Sequence, residues 1–291
     1  MKLISKPILA IVGMSLLWGY GWTALKIGLI DAPPFKLTAL RLTLSALCLL
    51  LLLPLTGRSW KPSRIKELLT LGFVHTSLLF SLSTWAVSEG SAGRVAFMVY
   101  TMPFFTILFA RYFLSEAIER IQWIAISSAG IGLFLIVQPW GLLDNALSSV
   151  LAVGAGVVWA VGAVMVKRLQ MREPMDLLSM TAWQMAFGCI PLIIMSYLIP
   201  ESSIVWSERF IESLIFVAVG VTAAGSLLWM YALNSLSAGT ASLATLAAPP
   251  IAMISSALYF GEQPNFFEWC GMFSIIIALM TLSLSSPKKT G

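Results

Sequence analysis

The apolar residues of this chain come in runs about as long as a lipid bilayer is thick, and that rules out most folds. Polar, glycine and proline punctuation separates ten such runs, near residues 7–30, 36–56, 66–87, 91–114, 120–139, 145–168, 176–199, 209–233, 238–261 and 266–286. A helix needs roughly 20 mainly apolar residues to cross the hydrocarbon core. Charged residues are 11% of the chain, against about 25% in soluble domains. The expected fold class is therefore an all-α membrane protein with ten transmembrane helices. Links such as Ser88-Glu89-Gly90 and Asn234-Ser235-Leu236 allow only tight antiparallel hairpins, and no extramembrane domain fits between the runs.

The formal net charge is +5. Nucleic acid is not the implied partner, because the basic residues sit in short clusters between apolar runs. Such clusters orient helices by staying on the cytoplasmic side. A cytoplasmic N-terminus leaves Lys26, Lys36, Arg41, Arg94 and Arg209 on the opposite side or within it. Every other lysine and arginine then falls at a cytoplasmic end. An even number of spans returns the C-terminus to the cytoplasm. Lys2 and Lys6 before an apolar run suggest a signal peptide. The run continues past Trp18 and Trp22 without a small-residue cleavage pattern, so it reads as the first membrane helix. Cys48, Cys189 and Cys270 all lie in apolar runs with no CxxC spacing, as small buried hydrophobes do.

The chain also repeats itself. "SAGRVAFMVYTMP" from Ser91 corresponds to "SAGTASLATLAAP" from Ser237. The register extends without a gap from Leu82 and Leu228, through Pro103 and Pro249 and Glu116 and Glu262, to Trp123 and Trp269. Earlier in each half, Trp18 meets Trp159, Gly21 meets Gly162, Lys26 meets Lys167, and Arg41 meets Gln184. Each unit holds five helices, residues 1–142 and 143–291. Five is odd, so the second unit enters the membrane from the opposite side. Inverted repeats are a signature of secondary transporters, with substrate bound near the midplane between them.

The segments "WGYGWTALKIG" and "VVWAVGAVMVKRL", the two "SAG" helices, and the closing "FLSE" and "YFGE" resemble the EamA repeat of the drug/metabolite transporter superfamily. The resemblance covers essentially the whole chain, twice. It implies transport, and it implies a cavity walled by segments 1, 3, 4, 6, 8 and 9 with segments 5 and 10 at the periphery. In that arrangement Phe97, Trp159 and Trp229 join His75 around the substrate, a lining that resembles exporters of amino acids or small amphiphiles.

The candidate site residues follow from the cost of polar groups in lipid. His75, the only histidine, lies on a small and polar stripe with Gly72, Thr76 and Ser83, and its repeat partner is Val221. It can bond a backbone carbonyl, a substrate, or a transferable proton. Trp18 and Trp159 lie among glycines and alanines, where a bulky ring packs a core or walls a cavity. Arg41 and Gln184 are substrate-binding candidates; Arg41 can snorkel, pair with helix carbonyls or Glu89, or attract a carboxylate. Pro103, Pro249 and Pro250 kink or break segments 4 and 9, and Gly21 and Gly162 permit movement of segments 1 and 6. Glu116 and Glu262 read as helix-junction residues, Pro264 marking a new helix start.

An integral membrane enzyme would need a set such as HExxH or DxxxD, and the chain has neither; it also has no GxxxxGK[ST] loop for ATP. A channel, receptor or scaffold fits the inverted repeat less well than a carrier. The expectation is an exporter of amino acids or similar small metabolites in a bacterial inner membrane, working by alternating access. It needs no cofactor or metal, and its partners are the substrate and the bilayer. Import, or transport of another metabolite, a cationic drug or a nucleotide-linked sugar, is the alternative.

Overall fold

The structure is a computed structural model that describes residues 6–118, 120–138, 146–238, 241, 244–261 and 265–284. Glu262 and Pro264 lie outside the described residues, as does Gly239 of the second "SAG" phrase. The described residues form helices and no strand. The helices are α1 (Lys6–Gly28), α2 (Pro34–Leu55), α3 (Ile65–Glu89), α4 (Ala92–Leu114), α5 (Arg120–Val137), α6 (Ala146–Arg172), α7 (Leu177–Leu198), α8 (Glu208–Ser235), α9 (Thr245–Phe260) and α10 (Phe266–Leu284). Among the described residues, α1–α4 and α6–α8 are the seven long and apolar enough to cross a membrane. α5, α9 and α10 are shorter apolar helices.

The helix starts are set by local chemistry. Ser91 caps α4 by accepting from the Arg94 amide at 3.3 Å, Asp176 caps α7 by accepting from Ser179, and Ser207 caps α8 by accepting from Phe210. α2 opens on Pro33-Pro34, and its first free amides, Phe35 and Lys36, donate to the Glu201 carboxylate at 2.9 and 3.0 Å. An anion there satisfies orphan donors and favours the helix dipole.

Four helices depart from regular α geometry, in repeat-related pairs. α3 contains a π-helical stretch at Gly72–Leu78 and α8 one at Phe216–Ala224. In each, a hydroxyl reaches a carbonyl five residues back: Ser77 to Gly72 at 3.3 Å and Thr222 to Val217 at 2.6 Å. α4 breaks at Tyr100-Thr101, and Pro103 stands in the first turn of the continuing helix. Pro249 and Pro250 stand likewise in the first turn after a 3₁₀ turn, Thr245–Ala247, in α9. The prolines therefore start new helical pieces, where a missing N–H costs little.

The two matched halves interlock. α1 packs on α8 and α9, and α6, its repeat mate, packs on α3 and α4. α2 lies along α7, while α5 and α10 pair with each other beside the bundle. Leu16, Ile131, Leu258 and Phe273 are among the many large apolar side chains left exposed, as a lipid-facing surface requires.

α3 and α7 cross closely. A Cβ on Gly72 would lie 2.8 Å from the backbone of both Gln184 and Gly188. Gly72→Leu should therefore destabilise the bundle by about 1–3 kcal/mol, the usual cost of overpacking. Thermal unfolding of the purified protein in detergent checks this, and an unchanged melting temperature would mean the crossing is looser than described.

Candidate substrate site

Three tryptophans from three helices meet at the centre of the bundle. Trp18 (α1) stands edge-on to Trp159 (α6) at 5.0 Å between ring centroids. Trp229 (α8) completes the triangle at 6.1 Å from Trp18 and 5.2 Å from Trp159. His75 (α3) packs edge-on to Trp159 at 5.3 Å. Edge-to-face pairs of this kind hold rings at defined angles.

The glycines explain how the rings fit. A Cβ on Gly21 would come within 2.7 Å of the Val221 side chain, and one on Gly162 would overlap the His75 ring. Val221 and His75 are repeat mates on the two π-helical stretches. Each unit's first helix thus uses an equivalent glycine to receive a π-turn side chain from the other unit. Trp18 Nε1 also donates to the Val221 carbonyl at 3.0 Å.

The polar contacts are duplicated in the same way. Arg41 (α2) donates from Nε to the Thr222 hydroxyl at 2.6 Å. Gln184 (α7) donates from Nε2 to the Thr76 hydroxyl at 3.2 Å and lies 3.3 Å from His75 Nδ1. Thr76 and Thr222 occupy equivalent places in the repeat. Lys26 donates to the Gly90 carbonyl at 3.2 Å, and Lys167 to the Leu233 and Leu236 carbonyls at 2.8 and 2.6 Å. Both lysines satisfy the C-terminal carbonyls of their unit's third helix. Glu116 accepts from the Ala238 amide at 3.1 Å and so joins the end of α4 to the chain between α8 and α9.

The symmetry fails in one respect, which is where space remains. A cavity with about 70 Å³ open to the centres of water-sized spheres is lined by Trp18, Trp22, Arg41, Phe80, Tyr100 and Trp159, among others. One water needs roughly 10–15 Å³ on that measure. Gly21 and Leu25 of α1, Arg41 of α2 and Ser83 of α3 place the cavity toward the end of the bundle that carries Asp31, Gly90 and Arg209. The equivalent space at the other end is filled by His75 and Gln184, which are 4% and 2% exposed.

Of the expected site residues, Trp18, Trp159, Arg41 and Gly21 line the cavity. His75, Trp229, Gln184 and Gly162 lie behind it in the packed half of the cluster. Phe97 is fully buried and is not among the cavity-lining residues; Tyr100, three residues on, is. Pro103 and Pro249 are buried and Pro250 is half-buried, at helix starts away from the lining. Arg41 pairs with neither Glu89 nor a helix carbonyl; it bonds Thr222 and stacks 4.7 Å over the Phe80 ring. Sequence reasoning missed Trp22, Phe80 and Tyr100; Trp22, four residues after Trp18 on the same helix face, was the readable one. Several buried polar atoms in the cluster have no hydrogen-bond partner among the described residues: His75 Nε2, Gln184 Oε1, Trp159 Nε1 and Trp229 Nε1.

The EamA-like transporter family model matches residues 5–138 and again residues 146–284. The chain belongs to the EamA-like transporter family. It is 29% identical over 269 residues to the uncharacterized transporter YoaV of Bacillus subtilis, covering 89% of this chain and 90% of that one. It is 24% identical over 276 residues to a Salmonella typhimurium protein named "Probable amino-acid metabolite efflux pump", covering 90% and 89%. A crystal structure superimposes with a TM-score of 0.74 at 15% identity, covering 96% of this chain and 98% of its own, which shows a shared fold.

Ion pairs join the halves of this EamA-like transporter at both ends. At one, Arg209 grips the Asp31 carboxylate with Nε at 3.0 Å and a terminal nitrogen at 2.8 Å. At the other, Arg58 holds Asp176 at 2.8 Å, and Arg64 pairs with Glu173. The Ser207 hydroxyl and then Arg209 hold the Asp31 carboxyl below its ordinary range. For Asp176, burial acts upward, but bonds from Arg58 and Ser179 outweigh it and the net direction is down. A lowered carboxyl contributes stability that is present above its unfolded pKa, about 3.9, and lost as pH falls through the folded value. The melting temperature of wild type should exceed that of Asp31→Asn by a constant margin from neutral pH down to about pH 4, and the margin should close below it. A margin already closing near pH 6 would contradict the arrangement.

Proposed function

We propose that the chain is a secondary carrier that exports amino acids or similar small metabolites across a bacterial inner membrane by alternating access. Both units, residues 1–142 and 143–291, contribute five membrane-crossing helices, inverted relative to each other, with both termini in the cytoplasm. The observation that carries this reading is the duplicated set of contacts between units, open at one end and filled at the other. Gly21 with Val221 and Gly162 with His75 are equivalent contacts, yet only Gly21 and Val221 line the cavity. Exchange of the two arrangements would close the cavity at the Asp31 end and open it at the Arg58 end. A substrate drives such an exchange only through different affinity for the two states.

Trp18, Trp159 and Arg41 line the path directly in this account. His75, Gln184, Trp229 and Phe97 move to or toward it in the opposite state, and the breaks at Pro103, Pro249 and Pro250 absorb the motion. The aromatic lining supports a small amphiphilic substrate, and the relative named for amino-acid metabolite efflux supports the same class.

Proteoliposomes loaded with a pool of labelled amino acids, aromatic ones included, should release one or a few species saturably. Trp159→Ala and His75→Ala should each reduce that efflux by roughly tenfold or more, as loss of a buried anchor does. Flux that survives both substitutions would displace the site, and no amino-acid flux from folded protein would exclude the substrate class.

A further inference from the structure

We propose that Arg41 makes the cavity a carboxylate site, so that the substrate is a small organic anion or zwitterion with an aromatic or apolar body, and organic cations are rejected. This rests on the carrier reading of the cavity and names its substrate chemistry.

Arg41 is 6% exposed and lines the cavity. Its Nε donates to Thr222 and its guanidinium carbon lies 4.7 Å over the Phe80 ring; its terminal amino groups bond no described residue, and no described acid pairs with it. A guanidinium carries five N–H donors in a rigid fork that matches the two oxygens of a carboxylate. Most of that fork is therefore unused by the described residues and faces a cavity with room for a ligand group. A buried charge without a partner is costly, and inside a membrane it marks a binding function.

The repeat shows that structure alone does not require this charge. Gln184 occupies the equivalent position and makes the equivalent bond, to Thr76, with a neutral amide. Holding the threonine of a π turn needs one donor, and an amide provides it. The positive charge at Arg41 exceeds that role, and it stands on the side where the cavity lies.

The rest of the lining agrees. Trp18, Trp22, Tyr100 and Trp159 offer ring surfaces to an apolar body, and no aspartate or glutamate lines the cavity. An organic cation would meet Arg41 with no compensating carboxylate. A zwitterion could lay its ammonium on a ring while its carboxylate takes the fork.

The test is binding to the purified full chain in lipid nanodiscs, read by quenching of tryptophan fluorescence. Three probes share a phenyl body: 3-phenylpropanoate, L-phenylalanine and phenethylamine. The first two should bind saturably, and phenethylamine roughly tenfold more weakly or not at all. Arg41→Gln should weaken both carboxylates by roughly tenfold or more and remove the preference, with Arg41→Lys between. Phenethylamine binding as tightly as either carboxylate, no carboxylate binding by wild type, or carboxylate binding unchanged in Arg41→Gln would each overturn the proposal. The wild-type comparison stands even if Arg41→Gln does not fold. Because binding is read without flux, its failure leaves the carrier reading to the efflux assay, and the reverse also holds.

Discussion

The bundle depends on one contact made twice: the first helix of each unit receives, at a glycine, a side chain from a π-helical turn of the other unit. Gly21 takes Val221, and Gly162 takes His75. A glycine is needed because each close approach leaves no room for a Cβ. The neighbouring tryptophans, Trp18 and Trp159, then meet at the centre with Trp229. In lipid there is little hydrophobic drive between helices, so such interlocking and the polar bonds around it carry the association. Arg41 on Thr222 and Gln184 on Thr76 supply those bonds at equivalent places.

Much of this was written in the sequence. The pairing of Trp18 with Trp159, Gly21 with Gly162 and Arg41 with Gln184 came from alignment of the halves; the glycines and the Arg41 and Gln184 pair make corresponding contacts, and the tryptophans meet each other. Pro103, Pro249 and Pro250 predict a kink or break, because a ring without an N–H acts locally, and each stands in the first turn after one. The π-helical stretches were not readable, since α3 and α8 are apolar on most faces there and a local change of turn leaves no mark in such a run. The family resemblance places Phe97 in the lining by its position in segment 4, but Phe97 packs in the core and Tyr100, three residues on at the break, lines the cavity. Three roles were open to Arg41 because its neighbours, Thr222 and Phe80, are distant in sequence.

Near-symmetry and its failure have separate uses. In the proposed carrier, equivalent contacts would give two arrangements of similar energy, which a small ligand needs if it is to shift between them. The unlike residues, His75 against Val221 and Arg41 against Gln184, make the two ends chemically distinct. A substrate has no such symmetry, and the proposed recognition uses those positions. The cross-unit ion pairs at both ends, Asp31 with Arg209 and Arg58 with Asp176, are formed together while the cavity borders only one end. They tie the two units together at both ends.

The central claim is that the two units are inverted and that the cavity opens alternately to each side. Leu25 lines the cavity on α1, and Val166 is its repeat mate on α6, buried at the other end. In a background without Cys48, Cys189 and Cys270, Leu25→Cys and Val166→Cys can be probed singly with a membrane-impermeant thiol reagent on oriented vesicles. The account predicts labelling of each from one side only, and from opposite sides. Labelling of both from the same side, or of Val166→Cys from neither, would contradict it.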